Sequence, residues 1–545
     1  MKEVCNFEKA YKILDQVCKK NLAVIQRFEY AVGKLEIIFA IVLTLIYEIG
    51  ACLYFVRPFM LRRITIDVFL FVIITFTLSF LNRAVKYLRE VRLKGSLQKN
   101  FFKLHSVIFL CLILVVIYLM CYISYYPGVA AYDLPSSLDQ IKHNRYNNHQ
   151  PLLYTFLIKF ILWIAGGNYT NMLIIYSIFQ MLFVIFVSFY SLFWLYKNDV
   201  NRFVICIGYF YFLFMPILHI FSIITTKDVL FSCFFLLFTI NFIDLQKHFC
   251  KKNLFLFLLN GLLSCFMRNN MLYALVLFCI ALLLKKNSRK IIYCNLTLIL
   301  CFYLIQLFFY NICGLGKSPI QETICVPINQ IAYVYVNQSD NLSNEEKEKI
   351  TFYIPSAKNY NPRFIDPVKN DFNQDRYNNS KNEFWKLYLS LLKRYPFDYV
   401  KAFLNINLPY WFIGAKFPDP YSQRVYIETF HWWDGKDYPI LERQNYLKPL
   451  NEFYESFATF NNKIMITFPF SVIFSLSFPF LSLVFSLYIG IKQKIYDLVW
   501  ICVLYLLLIF TYILGPVSNF RYIYTFYLCL PLYLGIIFRS TRKVK

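Results

Sequence analysis

Charge is scarce in this chain: only 16% of its 545 residues are Asp, Glu, Lys or Arg, and the 31 acids are outnumbered by 56 basic residues. With 59% hydrophobic residues, that scarcity excludes an ordinary water-soluble domain and indicates a polytopic membrane protein. Also missing are a P-loop, a G-x-G-x-x-G fingerprint and a C-x-x-C pair with zinc spacing. Nucleotide cofactors held by those loops are therefore disfavoured. The first 34 residues hold no short apolar run ending in small residues, so the first span reads as an uncleaved anchor.

Apolar runs are abundant. A span needs about 20 apolar residues to cross roughly 30 Å of hydrocarbon, and about twelve such runs are present. They fall near 35–56, 64–82, 104–124, 172–196, 203–221, 229–245, 254–267, 271–284, 291–312, 463–489, 496–514 and 521–538. The expected fold is an all-α integral membrane protein, multi-pass in the cell membrane.

The net charge of +25 would suggest nucleic acid in a soluble protein. Here the Lys and Arg residues sit in short loops, where they mark the cytoplasmic side, so no nucleic-acid partner is expected. The markers are Arg83 to Lys103, Lys247 to Lys252, Lys285 to Lys290, Lys492 with Lys494, and the tail from Arg539 to Lys545. They also decide whether the apolar stretch from Leu152 to Ala165 crosses the membrane. If it did, every later basic loop would face outward, so it reads as an interfacial or re-entrant helix starting near Pro151. Arg57, Arg62 and Arg63 fall outside in this scheme, against the trend.

The resulting organisation is a cytoplasmic segment 1–34, two spans and a basic loop over 35–103, and a transmembrane core over 104–312 with its first outer loop at 125–170. An extracytoplasmic domain, small and mainly α, follows over 313–462, and three spans with a basic tail over 463–545. Both termini are expected in the cytoplasm. Within the domain, Ser343 to Glu346 and Ser380 to Glu383 have capping-box spacing. The first helix should stop before Pro355; the second should break near Pro396 and resume. Lys358 to Asn379 reads as loop. The aromatic stretch Pro409 to Trp433 suits either a headgroup belt or a sugar or acyl-chain groove. Among the cysteines, Cys313 and Cys325 are the pair that would share an oxidising side, so they are the candidates for a disulfide.

The polar cluster YYPGVAAYDLPSSLDQIKHNRYNNHQP, Tyr125 to Pro151, sits directly after a span. Asp133 there can be a general base, a metal ligand, a turn cap or a solvated charge. Asp139 reads as the surface of a short amphipathic helix. His149 could bond the backbone or reach a phosphate. Three short turns share the same side: Thr225, Thr226, Lys227 and Asp228; Arg268, Asn269 and Asn270; Ser518, Asn519, Phe520 and Arg521. Each places a cation at the outer surface against the usual bias. Lys227, Arg268 and Arg521 could snorkel to headgroups or jointly hold a phosphate. A carboxylate beside phosphate-binding cations is what transfer of a group from a lipid phosphate requires.

The pieces YPGVAAYD with HQPLLYTFLI, TTKDVLF, FMRNN, SPIQETICVPINQIA and GPVSNFRYIYTFYLCLPL resemble the GT-C superfamily of polytopic glycosyltransferases, and more closely a bacterial branch of GT-C-like membrane proteins. They extend over most of the chain from residue 104. The resemblance implies a GT-C-like core, a polyprenyl-phosphate-sugar donor and an extracytoplasmic glycan, lipid or protein acceptor. It implies Asp133 as catalytic base, places Lys227 and Asp228 in the second active-site loop region and makes Arg521 a contact to the carrier phosphate; with Arg268, a candidate from the residues alone, Lys227 and Arg521 would hold the donor phosphate. Asp139, His149, Asp228, Asn269 and Gln321 become candidate substrate-binding residues. It also implies jaw-like interfacial helices in the first outer loop. No cofactor and no metal ligand set is expected. The lone Asp133, without an adjacent acid, departs from the better-known members and puts a metal-dependent mechanism in doubt, although a divalent ion stays open. The rival readings are a transporter or flippase of lipid-linked glycan, which would need ionisable groups near the bilayer midplane, and a non-catalytic scaffold.

Overall fold

The computed structural model describes residues 32–55, 64–90, 104–131, 133–147, 150–285, 288–316, 318–415, 440–441, 443–458 and 467–539. Among the described residues the regular elements are helices, and strand-like contacts are isolated bridges. In chain order the principal helices are α1 (Lys34–Phe55), α2 (Ile64–Glu90), α3 (Leu104–Ser124), α4 (Leu134–His143), α5 (Leu152–Ile164), α6 (Tyr169–Lys197), α7 (Arg202–Phe214), α8 (Pro216–Phe221), α9 (Lys227–Lys247) and α10 (Lys251–Met267). They continue as α11 (Asn270–Leu282), α12 (Arg289–Cys313), α13 (Cys325–Asn337), α14 (Asn344–Tyr353), α15 (Lys381–Arg394), α16 (Pro396–Asn407), α17 (Lys448–Ala458), α18 (Phe478–Lys492), α19 (Tyr496–Ile513) and α20 (Phe520–Ile537).

Among the described residues, eight helices are long and apolar enough to cross a membrane: α1, α2, α3, α6, α9, α12, α19 and α20. Each coincides with an expected span, and together they make this an all-α membrane protein. The other four expected spans are shorter helices, and two of them need correction. The run 203–221 is broken at Met215, whose extended backbone (φ −84°, ψ 103°) precedes Pro216; a residue before proline avoids the helical region. The run 463–489 becomes helical over a long stretch only from Phe478, with Pro479 in the first turn, a position where a missing N–H is harmless.

Helices α9 and α20 lie at the centre. Phe235 on α9, Tyr524 and Tyr527 on α20 and Tyr505 on α19 are fully enclosed, and α6, α10, α18 and α19 pack around the central pair. Helix α5 starts directly after Pro151, as expected, and buries Leu152, Tyr154, Thr155, Ile158 and Ile161. Phe160, Trp163 and Ile164 remain exposed on its other face.

The polar segment holds a core of its own, built from Ile328, Ile331, Ile350, Phe384 and Leu391 on α13, α14 and α15 with Tyr399 on α16. The Ser343 capping box forms with both reciprocal bonds. Helix α14 ends at Tyr353, before Pro355, and the chain breaks after Arg394 and resumes at Pro396. The second box does not form. Ser380 makes no side-chain cap bond; its hydroxyl donates to the Arg376 carbonyl at 2.7 Å instead. Lys358 to Asn379 is not all loop, since it contains short helices at Asp366–Lys369 and Gln374–Asn379. Cys325 is a buried free thiol directed at the Leu514 carbonyl (3.6 Å), which overturns the expected pairing. Arg57, Arg62 and Arg63, and the aromatic stretch after Ala415, lie outside the described residues.

This domain clamps the turn between α19 and α20. Ile365 N–H donates to the Pro516 carbonyl (3.0 Å), and the Ser518 hydroxyl to the Ile406 carbonyl (2.6 Å). Tyr410 Oη accepts from Asn519 N–H (3.0 Å).

Candidate functional site

Four of the short polar stretches meet at the end of the bundle covered by that domain. The first is the loop after α3. Val129 N–H donates to the Ile223 carbonyl (3.2 Å) and Thr225 N–H to the Val129 carbonyl (2.9 Å), while Ala131 N–H donates to Thr225 Oγ1 (3.0 Å). The loop fits tightly because it contains Gly128, at φ +120°; a Cβ there would fall 2.2 Å from Ser177 Oγ. Only glycine tolerates both the backbone and the approach.

This pinning delivers Asp133 to the start of α4. Asp133 occupies the N-cap position but makes no side-chain cap hydrogen bond. Its carboxylate turns instead to the residues that open α9 and α20. Lys227 Nζ stands 3.2 Å from Oδ2, Arg521 Nη1 3.6 Å from the same oxygen, and Gln150 Nε2 donates to Oδ1 at 3.2 Å. Lys227 also donates to Gln150 Oε1 (2.8 Å), closing a ring of three side chains.

Asp228 forms the second half. The Thr226 hydroxyl caps α9 by accepting from Asp228 N–H and donates to Asp228 Oδ2 (3.2 Å), and an acid in the first helical turn complements the helix dipole. Arg268 Nη1 pairs with Asp228 Oδ1, and Arg521 Nε lies 3.9 Å from Oδ2. The Arg268 guanidinium stands 4.5 Å from the Tyr512 ring and 4.3 Å from the Tyr522 ring. Arg521 is held by Tyr522 as well, 2.9 Å from its hydroxyl. The charges thus run Lys227, Asp133, Arg521, Asp228, Arg268 in one chain. Three cations face two carboxylates, which leaves one positive charge in excess among the described residues.

Burial gives that excess its weight. Asp133 is 7% exposed, Arg268 7% and Asp228 0%. Burial by itself pushes the Asp133 carboxyl up, but the charges of Lys227 and Arg521, with the hydrogen bond from Gln150, overcome it and hold the group well below the usual carboxylate range.

Of the residues singled out from sequence, Asp133, Lys227, Asp228, Arg268 and Arg521 converge. Asp139 does not: it is exposed on α4 and paired with His143 at 3.1 Å. Asn269 precedes α11, half-buried, and makes no side-chain cap hydrogen bond there. Gln321 sits on the short turn Ile320–Thr323, its Oε1 buried without a hydrogen-bond partner among the described residues. His149 lies outside the described residues. Gln150, Tyr512 and Tyr522 were not anticipated, and Thr226 was named only as part of its turn. Among the described residues no group of three His, Cys, Asp or Glu side chains is placed to hold a metal.

A family model described as "Family of unknown function (DUF6020)" matches residues 122–545. The chain belongs to this family. The DUF6020 region opens within α3 and takes in every member of the charged cluster. No curated protein and no solved structure matches.

Proposed function

We propose that this protein is a GT-C-type membrane glycosyltransferase that moves a sugar from a polyprenyl-phosphate donor to an acceptor on the outer face of the cell membrane. In this reading the site end faces outward and both termini lie in the cytoplasm, in keeping with the basic loops. The observation that carries it is the buried cluster with one positive charge in excess at one end of the bundle, where in this reading a lipid headgroup would be received. The Asp133 carboxylate takes the acceptor hydroxyl proton, and the acceptor oxygen forms a bond to the anomeric carbon. The bond from that carbon to the phosphate oxygen breaks, and the polyprenyl phosphate leaves with the electron pair. Lys227 and Arg521 stabilise the charge on that oxygen.

The transporter reading has less support. Of the two buried acids of α1, Glu36 is paired with Lys492 (2.9 Å) and accepts from the Tyr488 hydroxyl (2.8 Å) at the end of the bundle opposite to the cluster, and Glu48 accepts from the Cys52 thiol (3.3 Å). Purified protein with lipid-linked sugars tests the proposal. Turnover that is abolished by Asp133→Asn, with insertion intact, is expected. Full activity of that variant, or translocation across vesicles without turnover, would overturn it.

A further inference from the structure

We infer that Asp133 Oδ2 occupies the place of an anionic ligand oxygen, so that a phosphate group binding Lys227 and Arg521 must displace the carboxylate from them. Oδ2 lies between Lys227 Nζ at 3.2 Å and Arg521 Nη1 at 3.6 Å. Among the described residues it accepts no well-aligned hydrogen bond, whereas Oδ1 is anchored by Gln150. One oxygen is fixed and the other serves as an internal anion. Two cations that converge on a single buried oxygen match the geometry by which Lys and Arg hold a phosphate.

Arg268 is not part of this exchange. Asp228 and two tyrosine rings already engage its guanidinium. The anion-binding pair is therefore Lys227 with Arg521, and its ligand class is a phosphate ester. That the ester is the headgroup of a lipid-linked sugar rests on the function proposed above; the displacement itself does not. Once Lys227 and Arg521 turn to a phosphate, Asp133 keeps only its Gln150 contact and regains its basicity. The acid becomes a base for the acceptor only after the donor is in place, and the donor binds first.

The test is counterintuitive: removing the proposed catalytic acid should improve ligand binding. Full-length protein in detergent is titrated with polyprenyl monophosphate and, separately, with inorganic phosphate. Asp133→Asn should bind polyprenyl phosphate about tenfold more tightly than wild type, and Lys227→Met about tenfold more weakly. The double variant Asp133→Asn with Lys227→Met should return to within about threefold of wild type. It removes one charge of each sign and so folds even if the single Asn variant does not. Unchanged or weaker binding by Asp133→Asn, or a double variant as weak as Lys227→Met alone, would overturn displacement. Inorganic phosphate that binds as tightly as the lipid would reject the lipid source, with the Asn variant still deciding displacement. Tighter binding by Asp133→Asn in a protein that shows no sugar transfer would reject the glycosyltransferase reading and keep the anion site. No binding of either probe to any variant would overturn both.

Discussion

The two ends of the helix bundle use the same side chains to different effect. At the site end, three cations and two carboxylates form one buried chain. At the opposite end, Arg539 pairs with Asp497 at 2.9 Å with each side chain about a quarter exposed, and Arg89 donates to Gln493 Oε1 (2.6 Å). Lys247 and Lys285 there lie over the Trp194 and Trp500 rings, 5.0 and 5.6 Å from their centroids. Cations at that end find amides, aromatic faces and separate carboxylate partners, Arg539 with the part-exposed Asp497 and Lys492, itself a third exposed, with Glu36. The contrast teaches that sign and residue type do not make a site. Exclusion of water does, because it converts pairs worth little at a surface into pairs that cannot be broken singly.

Breaking one buried pair should give the largest effect. Arg268→Met leaves Asp228 buried and short of its partner, and should destabilise the protein by about 3–5 kcal/mol in thermal or denaturant unfolding in detergent. A loss below about 1 kcal/mol would put the cluster on a par with the opposite end. Gly128→Ala comes next, at about 1–3 kcal/mol for the strained backbone alone, read in the same assay; a neutral result would mean that the loop carrying Asp133 is free to re-form. Gln150→Leu should lose about 1–3 kcal/mol, because it strips Asp133 Oδ1 and Lys227 of an amide that both use. Arg539→Met, the counterpart at the exposed end, should change stability by about 0–1 kcal/mol.

Proton linkage refines the contrast further. The Asp133 carboxyl is held below its unfolded value of about 3.9, so its ion pairs contribute in full above that pH and fade only as pH falls towards the depressed folded value. The stability difference between wild type and Asp133→Asn should accordingly stay flat from about pH 8 to 5 and begin to shrink below about pH 4. A difference that changes between pH 8 and 5 would mean that the cations do not hold the group.

The charged half of the cluster was legible because charge is rare here. Asp133, Lys227, Asp228, Arg268 and Arg521 stand out in turns between apolar runs. Gln150, Tyr512 and Tyr522 carry no such mark: tyrosine occurs 44 times, and only the fold shows which of them flank Arg268. Gln150 sits one residue before Pro151, which was read as a helix start, so its proximity to Asp133 depended on how the loop closes. The long spans were legible from hydropathy alone. The departures arose where prolines stand in an apolar run, at Pro216 and Pro479, because hydropathy does not register that the residue before a proline avoids the helical region or that a proline suits a helix start. The Ser380 box failed for a tertiary reason, since Tyr353 Oη meets that hydroxyl at 2.8 Å.

Inside α6, Gln180 is fully buried and its amide nitrogen lies within 3.2 Å of the carbonyls of Phe221, Ser222 and Ile224, while Tyr176 donates to its Oε1 at 2.8 Å. The segment that leads into Lys227 is thereby riveted to the middle of a spanning helix. That wall of the cluster and α6 move as one body. A phosphate ligand of the kind proposed above would then have to be admitted by the other wall, the α19 to α20 turn with Arg521 and the domain seated on it.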